Sequence, residues 1–357
     1  MNENRVKISR PQLKLLEKLS NAVGVSGNED EVRQIVIEEI RPLVDEYRVD
    51  RMGNLLAIKH TKTADAARVM FAAHMDEVGF MLVQADTEGC YGFEAVGGID
   101  ERQLLAKPVL VGKDHLPGVI GSKPVHLTSP AERAKVTPLG QLRIDLSPGC
   151  AGKASVGDYA TFATRFWRSG DSLFGKALDD RLGVATLIEL ARLNPGTAEV
   201  LFAFTVQEEL GLRGARVAAY DFEPDMAFVV DSTPAFDLPL DESEDENVLY
   251  NCRLGAGPAI YLADAGTISD PRLIQFLTRI AEDCGIPYQF RQPGGGGTDA
   301  GAIHITRGGV PSVSVSVPGR YAHSPILHAR LSDWKNTLAL LYQALEKADR
   351  SILNADR

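Results

Sequence analysis

Residues 69–76 read VMFAAHMD, a short uninterrupted apolar run that ends in a histidine and an aspartate. An apolar run of this length without alternation is typical of a parallel strand that is buried on both faces. Similar runs occupy residues 200–206 and 226–230, residues 312–317 form a β-branched run, and segments with helical spacing of apolar residues accompany them. This succession predicts an α/β fold, with a mixed, mostly parallel sheet flanked by helices.

The character of the sequence changes between residues 80 and 170. Helical periodicity disappears there, and short β-rich pieces alternate with turn residues such as Gly97-Gly98 and Pro117-Gly118. Such spacing is typical of a small all-β unit. We therefore predict two domains, an α/β domain built from residues 1–79 and 171–357, and an inserted β-barrel-like domain at 80–170.

The composition of the chain indicates which kinds of partner it can bind and in which cellular compartment it works. The formal net charge is -10 and the isoelectric point is near 5.3, so the chain has no general attraction for nucleic acid or for an anionic membrane. Residues 1–12 are polar and charged, which argues against a secretory signal. The four cysteines are scattered without a CxxC pair, as is typical of reduced thiols. These features predict a cytoplasmic protein.

Polar side chains that can bind metal follow several of the predicted strands. They are His74, Asp76, Glu208, Glu209, Asp231 and His323. In open α/β sheets, functional sites lie beyond the carboxyl ends of the strands. We therefore expect these side chains to meet at one edge of one sheet.

Each of these motifs also has a plain structural interpretation. His74 and Asp76 alone fit an ordinary strand end, the Glu208-Glu209 pair fits a solvated turn, and Asp179 fits a helix cap. However, two carboxylates at the mouth of a buried strand are costly unless positive charge offsets them. Residues i and i+2 of a strand share a face, so Asp76 is placed to support His74.

Charge balance within the predicted cluster favours two metal ions. The cluster contains the carboxylates of Asp179, Glu208, Glu209 and Asp231. Two divalent cations would balance these four charges, while His74 and His323 would bind as neutral imidazoles. With Asp179 as a bridge, each ion has three protein ligands and keeps open positions for water and substrate. Imidazole and carboxylate without thiolate suit zinc, cobalt or manganese.

Five motifs occur in one order along the chain and carry a family resemblance. They are AHMDEVG at 73–79, GKALDDR at 175–181, QEELGLRGA at 207–215, VD at 230–231 and RYAHSP at 320–325. Together they resemble the M42 family of metallo-aminopeptidases, which includes glutamyl aminopeptidases and the tetrahedral peptidases. Each motif is weak alone, but five in order are specific, and the resemblance covers nearly the whole chain.

The resemblance implies a role for each ligand. It assigns one ion to His74 and Asp231, the other to Glu209 and His323, and the bridge between them to Asp179. The ions implied are zinc or cobalt, two per chain.

The resemblance also implies the reaction and the assembly. Glu208 would be the general base and Asp76 would support His74 in a zinc-peptidase-like domain that removes N-terminal residues from peptides. The insert resembles the dimerisation domain of the family, whose members assemble from dimers up to dodecamers. We therefore expect peptide substrates and a homo-oligomer, with neither nucleic acid nor membrane as a partner.

Three alternatives remain open at the level of sequence. A two-metal amidohydrolase could use the same site to deacylate N-acyl amino acids. A glycosidase also uses paired carboxylates, although it needs neither His74 nor His323. A non-catalytic oligomeric scaffold predicts a damaged site, whereas every liganding position is intact here.

Overall fold

The computed structural model of the chain describes residues 6–86, 89–150, 152–194, 196–238, 251–293 and 295–354. The helices in this part of the chain are α1 (Arg10–Asn21), α2 (Asp30–Ile40), α3 (Pro130–Arg133), α4 (Leu178–Leu193), α5 (Arg213–Phe222), α6 (Pro271–Cys284), α7 (Ala300–Ile303) and α8 (Leu331–Lys347). The strands are β1 (Glu46–Val49), β2 (Leu55–Lys59), β3 (Arg68–His74), β4 (Gly79–Ala85), β5 (Cys90–Val96), β6 (Pro108–Val111), β7 (Leu116–Gly121), β8 (Arg143–Asp145), β9 (Tyr159–Phe162), β10 (Trp167–Ser169), β11 (Ser172–Gly175), β12 (Glu199–Thr205), β13 (Met226–Pro234), β14 (Ala259–Tyr261), β15 (Gln289–Arg291), β16 (Ser312–Arg320) and β17 (Leu327–Arg330).

Eleven strands form one large mixed sheet. Its order is β1-β2-β12-β3-β13-β16-β17-β11-β10, with β14 paired to β16 and β15 paired to β14. The four central strands, β12, β3, β13 and β16, run parallel to one another, as do β14 and β15. The other pairings are antiparallel. The prediction of a mostly parallel sheet therefore holds only for the centre, because short connections such as those in β1–β2 and β10–β11 return the chain antiparallel.

Helices cover both faces of the central strands. On β3, Phe71 faces the layer that contains α1, α2, α4, α6 and α8, whereas Met70 and Ala72 face α5 and α7. Phe71 stacks between Phe202 and Phe228 of the neighbouring strands. Because successive residues of a strand point to opposite faces, an uninterrupted apolar run fills both layers. Within the described residues, no helix is both long and apolar enough to span a bilayer.

A closed six-stranded barrel occupies most of the predicted insert. Its strands follow the order β4-β5-β8-β7-β6-β9, and all of its pairings are antiparallel. A separate core fills it, in which Phe80 packs edge-on against Phe93 and Phe162. The segment also contains the short helix α3, and β10 pairs with β11 in the large sheet. An all-β insert is therefore not confirmed, and the boundaries at residues 80 and 170 stay a prediction.

Candidate metal centre

Three neighbouring parallel strands bring predicted site residues to one edge of the large sheet. His74 is the last residue of β3, Asp231 lies within β13, and Glu208 follows β12 after two residues. The register pairs Thr205 of β12 with His74 of β3, so the ends of these two strands lie level with each other. This is the carboxyl edge at which sites of α/β sheets form.

The predicted ligands form two groups that share Asp179. His74 Nε2 lies 3.3 Å from Asp179 Oδ1 and 3.7 Å from Asp231 Oδ1. His323 Nε2 lies 3.2 Å from Glu209 Oε2 and 3.7 Å from Asp179 Oδ2. Within each group, one ligand atom per residue lies within 4.8 Å of the others. Asp179 therefore directs one carboxylate oxygen to each imidazole.

The two imidazoles are oriented through the ring nitrogen that faces away from the cluster. His74 Nδ1 lies 3.2 Å from the main-chain oxygen of Asp76, and His323 Nδ1 lies 3.0 Å from the main-chain oxygen of Gly98. A proton on Nδ1 satisfies either contact and leaves the lone pair of Nε2 directed at the carboxylates. Both rings thus present the atom that a cation would need.

Asp76 fixes several parts of the cluster at once. Its Oδ1 accepts a hydrogen bond from the main-chain N–H of Glu208 at 3.0 Å, and its Oδ2 accepts one from that of Glu209 at 3.2 Å. The Ser26 hydroxyl donates to the same Oδ2 at 2.5 Å. Burial opposes ionisation of Asp76, but the contacts with His74, Ser26 and Glu208 outweigh it and lower its pKa.

Burial and mutual repulsion oppose ionisation of Glu208, Glu209 and Asp231 in the cluster. Burial, reinforced by neighbouring carboxylates, raises the pKa of Asp231 to about 7 and raises the pKa values of Glu208 and Glu209 well above the usual range. Burial also opposes ionisation of Asp179, but its contacts with His74 lower its pKa to about 2. Carboxylates gathered in this way are stabilised as anions by nearby cations and are otherwise protonated.

The donor set fits divalent cations. A cavity of about 20 Å³ is lined in part by Asp179, Glu209 and His323, and this volume accommodates one water-sized particle. Carboxylate oxygens and imidazole nitrogens, without a thiolate in the cluster, suit zinc or cobalt. These residues therefore form a candidate metal centre.

A buried ion-pair network that the sequence patterns do not indicate supports this centre. Lys176 Nζ donates to both oxygens of Glu77, at 2.7 and 2.8 Å, and the Thr161 hydroxyl of the barrel donates to one of them at 2.8 Å. The guanidinium of Arg181 lies 3.4 Å from the same carboxylate. Lys176 and Arg181 flank Asp179 in sequence, so Glu77 anchors the segment that carries this candidate ligand.

Asp299 is a second buried group that the strand-end pattern does not identify. Its Oδ2 accepts a hydrogen bond from the Thr205 hydroxyl at 2.5 Å, while its Oδ1 has no hydrogen-bond partner among the described residues. Burial raises its pKa to about 6, and its charge acts on Glu208. Asp299 follows a glycine run instead of an apolar strand, so the strand-end pattern gives no sign of it.

Known proteins resemble the chain over most of its length. The profile of the family described as M42 glutamyl aminopeptidase matches residues 53–340. The lysyl aminopeptidase of Pyrococcus furiosus is 32% identical over 345 residues, which cover 93% of this chain and 96% of the relative.

Solved structures show the same relationship. An aminopeptidase from Desulfurococcus kamchatkensis superposes with a TM-score of 0.89 at 35% identity, covering 96% of each chain. The TET1 peptidase of Pyrococcus horikoshii superposes with a TM-score of 0.82 at 34% identity, covering 94% of this chain and 100% of its own. The resemblance drawn from the sequence motifs is confirmed. The chain belongs to the M42 glutamyl aminopeptidase family and is a peptide hydrolase.

Proposed function

We propose that the chain is a dinuclear metal-dependent aminopeptidase that releases N-terminal residues from peptides. The observation that carries the proposal is the position of Asp179, whose two oxygens face two different imidazoles. One ion would be held by His74 and Asp231, and the other by Glu209 and His323, with Asp179 shared between them. Zinc or cobalt suits this set of donors.

Two kinds of group would carry the reaction: bound cations would supply Lewis acidity, and side chains of the protein would transfer the proton. Bound divalent ions would supply Lewis acidity, which lowers the pKa of water from ~15.7 to about 7 and polarises a carbonyl. Glu208 is the proposed general base, which accepts the proton of the attacking water and returns it to the leaving amine. Asp76 positions this base through the main-chain N–H of Glu208 and also orients His74.

Buried Asp299, which is not among the proposed ligands, favours a substrate with a free amine. A peptide N-terminus carries a positive charge, and the unpartnered Oδ1 of buried Asp299 adds a further acceptor close enough to Glu208 to raise its pKa. An N-acyl amino acid, the substrate of the alternative deacylase, brings no such charge. Recognition of the amine therefore fits this site better.

Matched substrates test the proposed function. We expect aminoacyl chromogenic substrates to be hydrolysed and their N-acetylated counterparts to resist, because acetylation removes the charge that the carboxylates attract. Activity should disappear in the demetallated protein and return with zinc or cobalt. Faster cleavage of the acetylated series would favour the deacylase, and full activity without metal would contradict both two-metal hypotheses.

We also propose that the chain forms a homo-oligomer, from a dimer up to a dodecamer, through the insert at residues 80–170. The related TET1 peptidase of Pyrococcus horikoshii can assemble into a tetrahedron or a large octahedral shell. Several large apolar side chains of the insert are at least half exposed. They are Leu105, Val125, Leu127, Val136 and Val156. Of these, Val125 and Leu127 lie two residues apart in one short helical turn, and a contiguous apolar patch around them would be typical of an interaction surface.

Charge substitution on this surface tests the assembly. The double variant Val125→Asp/Leu127→Asp should form a smaller particle by light scattering, because burying two carboxylates in an apolar contact is costly. Ile268→Asp is the matched control, since Ile268 is 75% exposed and lies outside the insert. An unchanged particle size for the double variant, or equal dissociation of both variants, would reject the insert as the assembly surface.

A further inference from the structure

We propose that the inserted barrel has a second role, which is to hold His323 and Glu209 in the geometry of one half of the metal centre. The part of the barrel concerned is the glycine pair Gly97-Gly98, which follows β5. The inference rests on the proposed dinuclear function. It implies that the ion at His323 and Glu209 needs the barrel for tight binding, whereas the ion at His74 and Asp231 does not.

The two histidines are supported in different ways. His74 ends a central strand, is 2% exposed, and has its ring contact with Asp76 of the same α/β region. His323 lies in the loop between β16 and β17, its side chain is 43% exposed, and its backbone has a left-handed φ of 55°. Its Nδ1 contact is with Gly98, a residue of the insert that lies 225 positions away in sequence. The orientation of this ring therefore depends on the barrel.

The same glycine pair also approaches the other ligand of this half. A Cβ atom at Gly97 would lie 2.8 Å from Val78 Cγ1 and 3.4 Å from Glu209 Cβ, and a Cβ atom at Gly98 would lie 3.4 Å from His323 Nδ1. Gly97 has a φ of 88°, which side chains rarely adopt. The glycine pair thus lies against both Glu209 and His323, and the short contact with Val78 Cγ1 disfavours a larger residue at position 97.

Displacement of the Gly97-Gly98 loop should selectively lower the affinity for the ion at His323 and Glu209. The Gly98 carbonyl fixes the tautomer and the direction of His323, and losing such an outer contact typically costs about 10–100-fold in metal affinity. His74 and Asp231, the proposed ligands of the other ion, are supported by strands of the large sheet. In this arrangement Gly97 and Gly98 are positioning residues, and no side chain of the barrel contributes a proposed ligand.

A pair of glycine substitutions separates this role from general backbone strain. Gly97→Ala introduces both an unfavourable φ and the contacts with Val78 and Glu209. Gly157→Ala introduces the unfavourable φ alone, because Gly157 lies in the barrel with a φ of 96° and an added Cβ would meet nothing within 4 Å. Titration of demetallated protein with zinc, followed by calorimetry, gives the number and affinity of the bound ions for each variant.

We expect two ions of unchanged affinity in Gly157→Ala, but one unchanged ion and one weakened about 10–100-fold in Gly97→Ala. Equal affinities in both variants, or equal weakening of both ions in Gly97→Ala, would overturn the proposal. Wild-type protein that binds fewer than two ions would instead contradict the proposed dinuclear function. If Gly97→Ala does not fold, Gly98→Ala is compared with the wild-type protein instead, because Gly98 has no positive φ and its methyl group would lie 3.4 Å from His323 Nδ1.

Combined variants identify which ion is affected. Gly97→Ala should add little to Glu209→Gln, because both changes act on the same ion. Added to Asp231→Asn, it should leave no tightly bound ion, because each change weakens a different one. The reverse pattern would assign the barrel to the His74 half and overturn the inference.

Discussion

Substitution of Asp179 by asparagine is expected to release both metal ions and to reduce activity to that of the metal-free protein. The two oxygens of Asp179 lie 3.3 Å from His74 Nε2 and 3.7 Å from His323 Nε2, so this side chain is the proposed ligand shared by both ions. Asparagine keeps the shape but replaces one oxygen with an amide nitrogen that cannot ligate, and it removes a negative charge. Metal analysis after dialysis, together with turnover of an aminoacyl substrate, measures both effects.

Asp231→Asn provides the comparison for this prediction. Asp231 lies in only one of the two groups, within 4.8 Å of His74 and Asp179, so its loss should weaken one ion and leave the other. A full metal complement and normal turnover in Asp179→Asn would show that the bridge is assigned wrongly. Loss of both ions from Asp231→Asn as well would show that the ions bind cooperatively, and the comparison would then no longer support a unique bridging role.

The central strands and the candidate ligands could be predicted from sequence because each depends on a local pattern. An apolar run such as 69–73 marks a strand buried on both faces, and the polar residue that follows must lie at its carboxyl end. The peripheral strand β10 carries no such pattern. All three of its residues are exposed, so no apolar run indicates its place in the sheet.

The contacts that support the ligands could not be predicted for a different reason. Glu77 and Lys176 are 99 residues apart, and each belongs to a separate motif whose local sequence gives no sign of the other. His323 and Gly98 are farther apart still, and the acceptor is a main-chain carbonyl, which every residue possesses. Local patterns therefore indicated the candidate ligands and the place of Asp76 beside His74, whereas the contacts made by Glu77 and Gly98 depend on the folded chain.

Substitution of the two adjacent glutamates by glutamine is expected to impair different steps, turnover in one variant and metal binding in the other. Glu209 Oε2 lies 3.2 Å from His323 Nε2, in one of the two groups that share Asp179, whereas Glu208 meets His74 and Glu209 in a third group that does not contain Asp179. Glu208→Gln keeps the shape of the side chain and removes its basicity. It should therefore retain both ions and bind substrate, while turnover falls by about 10²–10⁴-fold. Glu209→Gln should lose affinity for one ion, with activity that depends on the metal concentration.

Addition of excess zinc distinguishes the two roles. A variant that lacks a ligand regains part of its activity when the weakened site is refilled by mass action, whereas a variant that lacks the base does not, since its metal sites are already filled. Excess zinc should therefore partly restore Glu209→Gln and leave Glu208→Gln unchanged, with the ion content of each variant measured in parallel. Recovery of Glu208→Gln without recovery of Glu209→Gln would exchange the two assignments, making Glu208 the ligand and Glu209 the base that handles the proton.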